Sequence, residues 1–162
     1  MAGGPDQAAS AVDHVRQARE RKRAEAEAIG VDARYIDDLV ERFYSRIRTD
    51  ELLGPIFADR IASWGPHLAR MKQFWRSILH NSGEYSGNPM IKHTAIPDLG
   101  EAHFARWLEL FYRTLREGEG DPRATALVGQ RARMIAESLL TGVTVQRDGV
   151  AGGRAGRNLP HV

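Results

Sequence analysis

Apolar residues recur at helical spacing along most of this chain, and the strength of the pattern marks out its parts. Between residues 31 and 50, Tyr35, Ile36, Leu39, Val40, Phe43, Tyr44 and Ile47 fall three and four apart, as on a helix with one buried face. Asp32 stands where an N-cap is wanted, and Thr49-Asp50 marks the exit. Leu53-Gly54-Pro55-Ile56-Phe57 predicts a turn, because Gly-Pro stops helix continuation, with Phe57 as its apolar plug. A second helix opens near Ser63 and tolerates Pro66 in its first turn. Its inward face is Trp64, His67, Leu68, Met71, Phe74, Trp75, Ile78 and Leu79.

Residues 81–87 read as loop, with Ser-Gly and Ser-Gly-Asn-Pro punctuation. Asn88-Pro89 then starts a single helical turn that carries Ile91, Lys92 and His93 and ends before Pro97. A longer helix from about Gly100 to Glu117 turns Phe104, Trp107, Leu108, Phe111, Tyr112 and Leu115 inward. The last runs from about Pro122 to Thr141 and buries Leu127, Val128, Ala132, Met134, Ile135, Leu139 and Leu140. Nothing alternates with period two, so the expected domain is all-α.

The flanks differ from this core. Residues 1–30 are rich in alanine and charge, good helix formers with little to bury, and predict an exposed or frayed helical extension. Residues 142–162 are rich in glycine and arginine with a weak apolar pattern, which predicts a structureless tail. The core domain is therefore expected over 31–141.

Composition narrows the chemistry. The 162 residues suit one domain, and the absence of cysteine excludes disulfides, thiolate metal sites and cysteine nucleophiles. No run of about 18 apolar residues argues for a membrane span, and the first residues lack the plan of a secretory signal. A cytoplasmic protein is expected. Net charge is only +2, and of 23 basic residues three are lysine. Acidic residues interleave with the basic ones of the N-terminal arm, so nucleic acid is not the expected partner.

Two histidines stand out. His67 lies on an apolar helix face, where a buried structural histidine is the ordinary explanation. His93 sits on a proline-bounded turn too short to be stable for its own sake. There is no HExxH motif, no Walker loop, and Asp37-Asp38 falls on a polar face. Zinc or di-iron sites want three or four clustered ligands, whereas the inward faces offer His67 and His93, with His80 and His103 undecided. Haem asks for less, since the porphyrin supplies four nitrogens and the protein one imidazole. His93 is the candidate axial ligand. Phe57, Met71, Phe74, Ile91, Ile96 and Phe104 can line the plate, while Tyr44, His67 and Trp107 bring polar tips to otherwise apolar faces. Such donors are costly beside an apolar slot unless something accepts from them, and dioxygen would.

The fragments FY at 43–44, LGPIF at 53–57, W..HL..M..FW at 64–75, Y.G.P...H at 85–93 and HFARWLELF at 103–111 resemble the truncated haemoglobins, specifically their third group. The resemblance covers about Tyr35 to Leu140. It implies a two-on-two helical sandwich around haem b, with His93 as proximal iron ligand and Tyr44, His67 and Trp107 as distal polar residues. It also implies Phe43, Phe57 and Met71 beside the ring, and Arg70 and Lys92 as cations for the haem propionates. The function implied is binding of dioxygen and nitric oxide at five-coordinate iron. Nitric oxide dioxygenation or peroxidase-like turnover would further require a separate reductase. Two alternatives remain at this level: a haem-based redox or gas sensor, and a haem-free helical module with a nucleic-acid-binding arm.

Overall fold

The structure is a computed structural model that describes residues 5–149 and 156–162. Seven helices form among the described residues, and no strand: α1 (Pro5–Ala28), α2 (Ala33–Thr49), α3 (Gly54–Arg60), α4 (Trp64–His80), α5 (Pro89–Thr94), α6 (Glu101–Glu117) and α7 (Pro122–Asp148). Helices α2 and α4 pack as one pair and α6 and α7 as another, and contact between α2 and α6 joins the pairs. This is the two-on-two arrangement that the sequence resemblance implies.

Phe111 of α6 sits where the pairs meet. Its ring stacks on Trp75 of α4 (5.1 Å between centroids) and on Trp107 (5.3 Å), and meets Phe43 of α2 edge-on at 5.0 Å. Truncating so enclosed an aromatic typically costs about 3–5 kcal/mol. The expected caps form. Asp32 Oδ1 accepts from the Tyr35 N–H at 2.8 Å, and Asn88 Oδ1 from the Ile91 N–H at 3.2 Å. The first starts α2, and the second starts α5 with Pro89 as its opening residue.

Where a turn is predicted after Leu53, the chain makes α3 instead. Pro55 stands in the first turn of α3, and Asp50 holds the turn that leads into it, its Oδ2 accepting from the N–H groups of Leu52 (3.2 Å) and Leu53 (2.9 Å).

The last helix continues past Thr141 to Asp148. Two glycines lie inside it, each costing about 1 kcal/mol against alanine in a helix interior, and each marks a close approach. A Cβ on Gly129 would lie 2.6 Å from the Val162 side chain, and one on Gly142 would meet the Met90 thioether of α5. Arg147 donates to the Leu99 carbonyl at 3.0 Å. Beyond, Leu159 is buried, the Tyr112 hydroxyl donates to the Pro160 carbonyl at 2.8 Å, and Arg133 donates to the Leu159 carbonyl. The expected structureless tail is thus corrected at 142–148 and 156–162, where neighbours supply the contacts that composition does not announce. Residues 150–155 lie outside the described residues.

Two further expectations change. Met134 is 52% exposed rather than buried, because α7 turns only part of its circumference toward α5, α6 and the C-terminal segment. The predicted inner face of α4 also splits. Trp75 and Leu79 are buried in the core, whereas Trp64, His67, Leu68, Met71, Phe74 and Ile78 stay half-buried. Helix α1 is exposed along most of its length, and its end rests on α4 through buried Ala26.

Candidate functional site

Six residues would not hold a helix in water, so α5 depends on its surroundings. The Asn88 cap starts it and α7 packs against it. One turn after Pro89, His93 places Nδ1 2.6 Å from the Pro89 carbonyl. A carbonyl can only accept, so Nδ1 carries the proton. Nε2 is left as the bare lone pair of a neutral imidazole, the tautomer a metal needs. Burial pushes the His93 pKa down, the Pro89 bond works against it, and the Lys92 ammonium lowers it further. The ring is half-buried, tilted 30° to Phe104 of α6 at 6.3 Å.

In a second group, four rings from three helices converge. The Tyr44 ring of α2 lies 5.1 Å from the His67 ring, edge to face, and 5.9 Å from Phe57 of α3. Trp64 stands one turn before His67, 5.6 Å from it, and stacks loosely on Phe57 at 6.5 Å. Arg48 lies over Trp64, its guanidinium 4.7 Å from the ring centroid. His67 Nε2 is buried with no hydrogen-bond partner among the described residues. Burial pushes the His67 pKa down, assisted by the charges of Lys92 and Arg70. One ammonium on α5 therefore acts on both histidines. Burial drives the Tyr44 phenol pKa upward, so its hydroxyl keeps its proton and remains a donor.

Other expected residues take their places around these two groups. Met71, Phe74, Ile96 and Trp107 are partly buried against the core, and Trp107 is stacked on Phe111. Two of the candidate lining residues stand apart. Phe43, 1% exposed, is enclosed by Tyr44, Trp107 and Phe111 and backs the distal rings from the core. Ile91, 65% exposed, lies at the solvent side of α5. His80 and His103 prove structural. The former gives Nε2–H to the Val31 carbonyl at 2.6 Å, and the latter accepts the Gly100 N–H at the start of α6.

Sequence reasoning passed over three residues. Trp64 reads as ordinary core, and its spacing from His67 was the available signal. Tyr85 packs on Phe74 at 5.1 Å and its hydroxyl lies over Gly87, where a Cβ would come within 2.6 Å of it and 3.3 Å of Arg70 Nη2. Asp50, through Arg106, ties the corner before α3 to α6 beside Trp107. No local pattern announces that pair.

The residues fit a haem. No cluster of three or more His, Cys, Asp or Glu side chains that could hold a metal occurs among the described residues, whereas a porphyrin-held iron needs one imidazole. The free Nε2 of His93, the unpartnered Nε2 of His67 and the half-buried apolar side chains of α4 are what a flat apolar group with one open coordination side would complete. No described helix is long and apolar enough to cross a membrane.

Comparison with known proteins agrees. The profile of the bacterial-like globins matches residues 26–137. A group 3 truncated haemoglobin of Campylobacter jejuni is 36% identical over 105 residues, which span 62% of this chain and 82% of that protein. The crystal structure of a group III truncated haemoglobin from the same organism superposes with a TM-score of 0.65 at 34% identity, covering 69% of this chain and 91% of the other. The chain belongs to the bacterial-like globins, as a truncated haemoglobin of the third group.

Proposed function

We propose that this chain binds haem b between the α4 wall and the α5–α6 corner, with His93 Nε2 on the iron. Dioxygen or nitric oxide would enter on the side of Tyr44, His67 and Trp107. Family membership implies haem-based binding of diatomic gases, and the assignment to particular residues is our own reading. The observation that carries it is the pairing of two imidazoles. His93 has Nδ1 committed to Pro89, leaving Nε2 available, and on α4 the buried His67 Nε2 lacks a partner among the described residues.

Bound haem supplies a ferrous centre that takes a diatomic ligand and exchanges electrons with a donor. The chain supplies the rest. The Pro89 carbonyl orients the His93 ring and fixes its tautomer. Tyr44 and Trp107 are donors for the partial negative charge on a diatomic ligand, and the rings of Phe57, Trp64 and Phe74 exclude water. Met71, Ile96 and Phe104 line the plate with Ile91 at its rim, and Arg70 and Lys92 stand where carboxylates at the haem edge would meet positive charge. Nitric oxide dioxygenation or a peroxidase-like reaction would draw electrons from a separate reductase.

The purified full chain should show a strong Soret band. His93→Ala should abolish or shift it, and Tyr44→Phe should only perturb it. A wild-type chain that folds and refuses added haemin would end the reading. A sensor is the second reading, favoured by the packing of α1 on the helix that carries His67. Deleting residues 1–30 would abolish the response of a sensor and leave the gas-binding rates of a carrier or catalyst unchanged.

A further inference from the structure

Helix α7 touches the His93 turn at a point that neither the pocket nor the core requires. Met90, one turn before His93, lies against the backbone of Gly142, where a Cβ would fall on top of its Sδ and Cε atoms. Glycine inside a long helix needs a reason, and here the reason is the seat itself. Five residues on, Arg147 of the same helix donates to the Leu99 carbonyl at 3.0 Å, in the link between α5 and α6. The α5 turn is thus held by α7 before His93 and after it. Met90 follows directly on Pro89, whose carbonyl aims the His93 ring at 2.6 Å. Moving Met90 therefore moves the group that orients the imidazole.

We propose that the Met90–Gly142 seat, braced by Arg147 on Leu99, is a positioning device for the His93 imidazole. Gly142, Met90 and Arg147 act through His93 rather than on the haem or its ligand. The inference deepens the haem reading above and rests on it for its consequence, while the seat itself stands on the contacts alone. The atoms that a Cβ at position 142 would meet are the end of a flexible side chain. Gly142→Ala is therefore accommodated by swinging Met90 away, with the helix intact and its intrinsic propensity improved.

The test uses the full, haem-loaded chain and a double-mutant cycle of Gly142→Ala and Met90→Ala. Resonance Raman of the ferrous protein reads the iron–imidazole stretch, and amide exchange at Lys92, Ala95 and Ile96 reads the turn without reference to haem. Each single variant should shift the stretch and speed exchange by at least about tenfold. The double variant should recover toward wild type, because the displaced thioether is gone. Met134→Ala, on the exposed side of α7, should change neither. Shifts that simply add in the double variant, or singles indistinguishable from wild type, overturn the proposal. Should Gly142→Ala fail to fold, Arg147→Gln must shift the same band, and an unshifted band there is equally fatal. If the wild type took up no haem the functional reading would fall, yet the exchange measurements would still decide whether the seat holds the turn.

Discussion

Asp50 divides its carboxylate between α6 and the turn that precedes α3, and Arg106 takes one of its oxygens. Oδ1 accepts from Arg106 Nε at 2.8 Å and from Nη2 at 2.7 Å, while Oδ2 accepts from the Leu52 and Leu53 N–H groups in the turn before α3. The pair spans the corner that positions Phe57 on one side and Trp107 on the other. Burial works to raise the Asp50 pKa, but the Leu53 N–H, the Arg106 guanidinium and the Leu52 N–H together hold it below the usual carboxylate range.

The sign of the resulting pH dependence follows. A depressed native pKa contributes stability that is complete above the unfolded value of about 3.9 and is lost as pH falls through the native one. Asp50→Asn should remove that acid limb. At neutral pH it should cost about 1–3 kcal/mol, the range for losing charged hydrogen bonds at a buried group whose partner is partly solvated. Urea unfolding at pH 7 and at about pH 2, well below the unfolded value, measures both effects. Equal losses at both pH values would show that the carboxylate charge is irrelevant.

Tyr44→Phe should speed dioxygen release about five- to tenfold, the equivalent of roughly 1 kcal/mol for one hydrogen bond. Binding of carbon monoxide, a poorer acceptor, should change little. Because burial drives the phenol pKa upward, release from the wild type should show no break near the ordinary tyrosine value of about 10. Stopped-flow ligand exchange against pH gives both results.

His67→Leu should stabilise the haem-free chain by about 1 kcal/mol, because it replaces an unpartnered buried nitrogen with carbon of similar bulk. The wild type carries an acid-side penalty here. The folded His67 pKa lies below its ordinary 6.5, so the unfolded chain binds the proton more readily and stability falls as pH drops through that value. Denaturation at pH 7.5 and 5.5 should show a larger gain for His67→Leu at the lower pH. An unchanged difference would mean that His67 reaches water in the folded state.

Deleting residues 156–162 should cost about 2–4 kcal/mol, from re-exposing the Leu159 site and losing the Tyr112 hydrogen bond. Tyr112→Phe alone should cost about 0.5–1.5 kcal/mol. Thermal melts of both variants test this, and a melting point unmoved by the deletion would show that the segment only rests on the surface.

Much of the helical framework was legible because its signals are local. The stripe from Ile36 to Ile47, the Asp32 cap and the Asn88-Pro89 start depend on neighbours within a turn or so. His93 could be singled out for a similar reason, since a proline-bounded turn has no apolar pattern to justify it. What escaped depends on residues far apart in the chain. The turn into α3 is held by the Asp50 side chain, itself fixed by Arg106 of α6, which a Gly-Pro dipeptide cannot disclose. Ile91 and Met90 both read as apolar, yet only the facing notch at Gly142 decides which of them is covered.

The sequence by itself determined an all-helical chain with a histidine on a turn that cannot stand alone, because helix periodicity, caps and proline breaks act over a few residues. The tertiary structure alone decided which histidines are structural. His80 is spoken for by Val31, His103 by Gly100 and His93 Nδ1 by Pro89, whereas His67 Nε2 has no partner among the described residues. It also decided that the C-terminal segment returns to α7, where Gly129 leaves room for Val162. Hydrogen-bond satisfaction of a buried ring and the depth of a helix notch are set by what arrives from elsewhere in the chain, and no local pattern encodes that arrival.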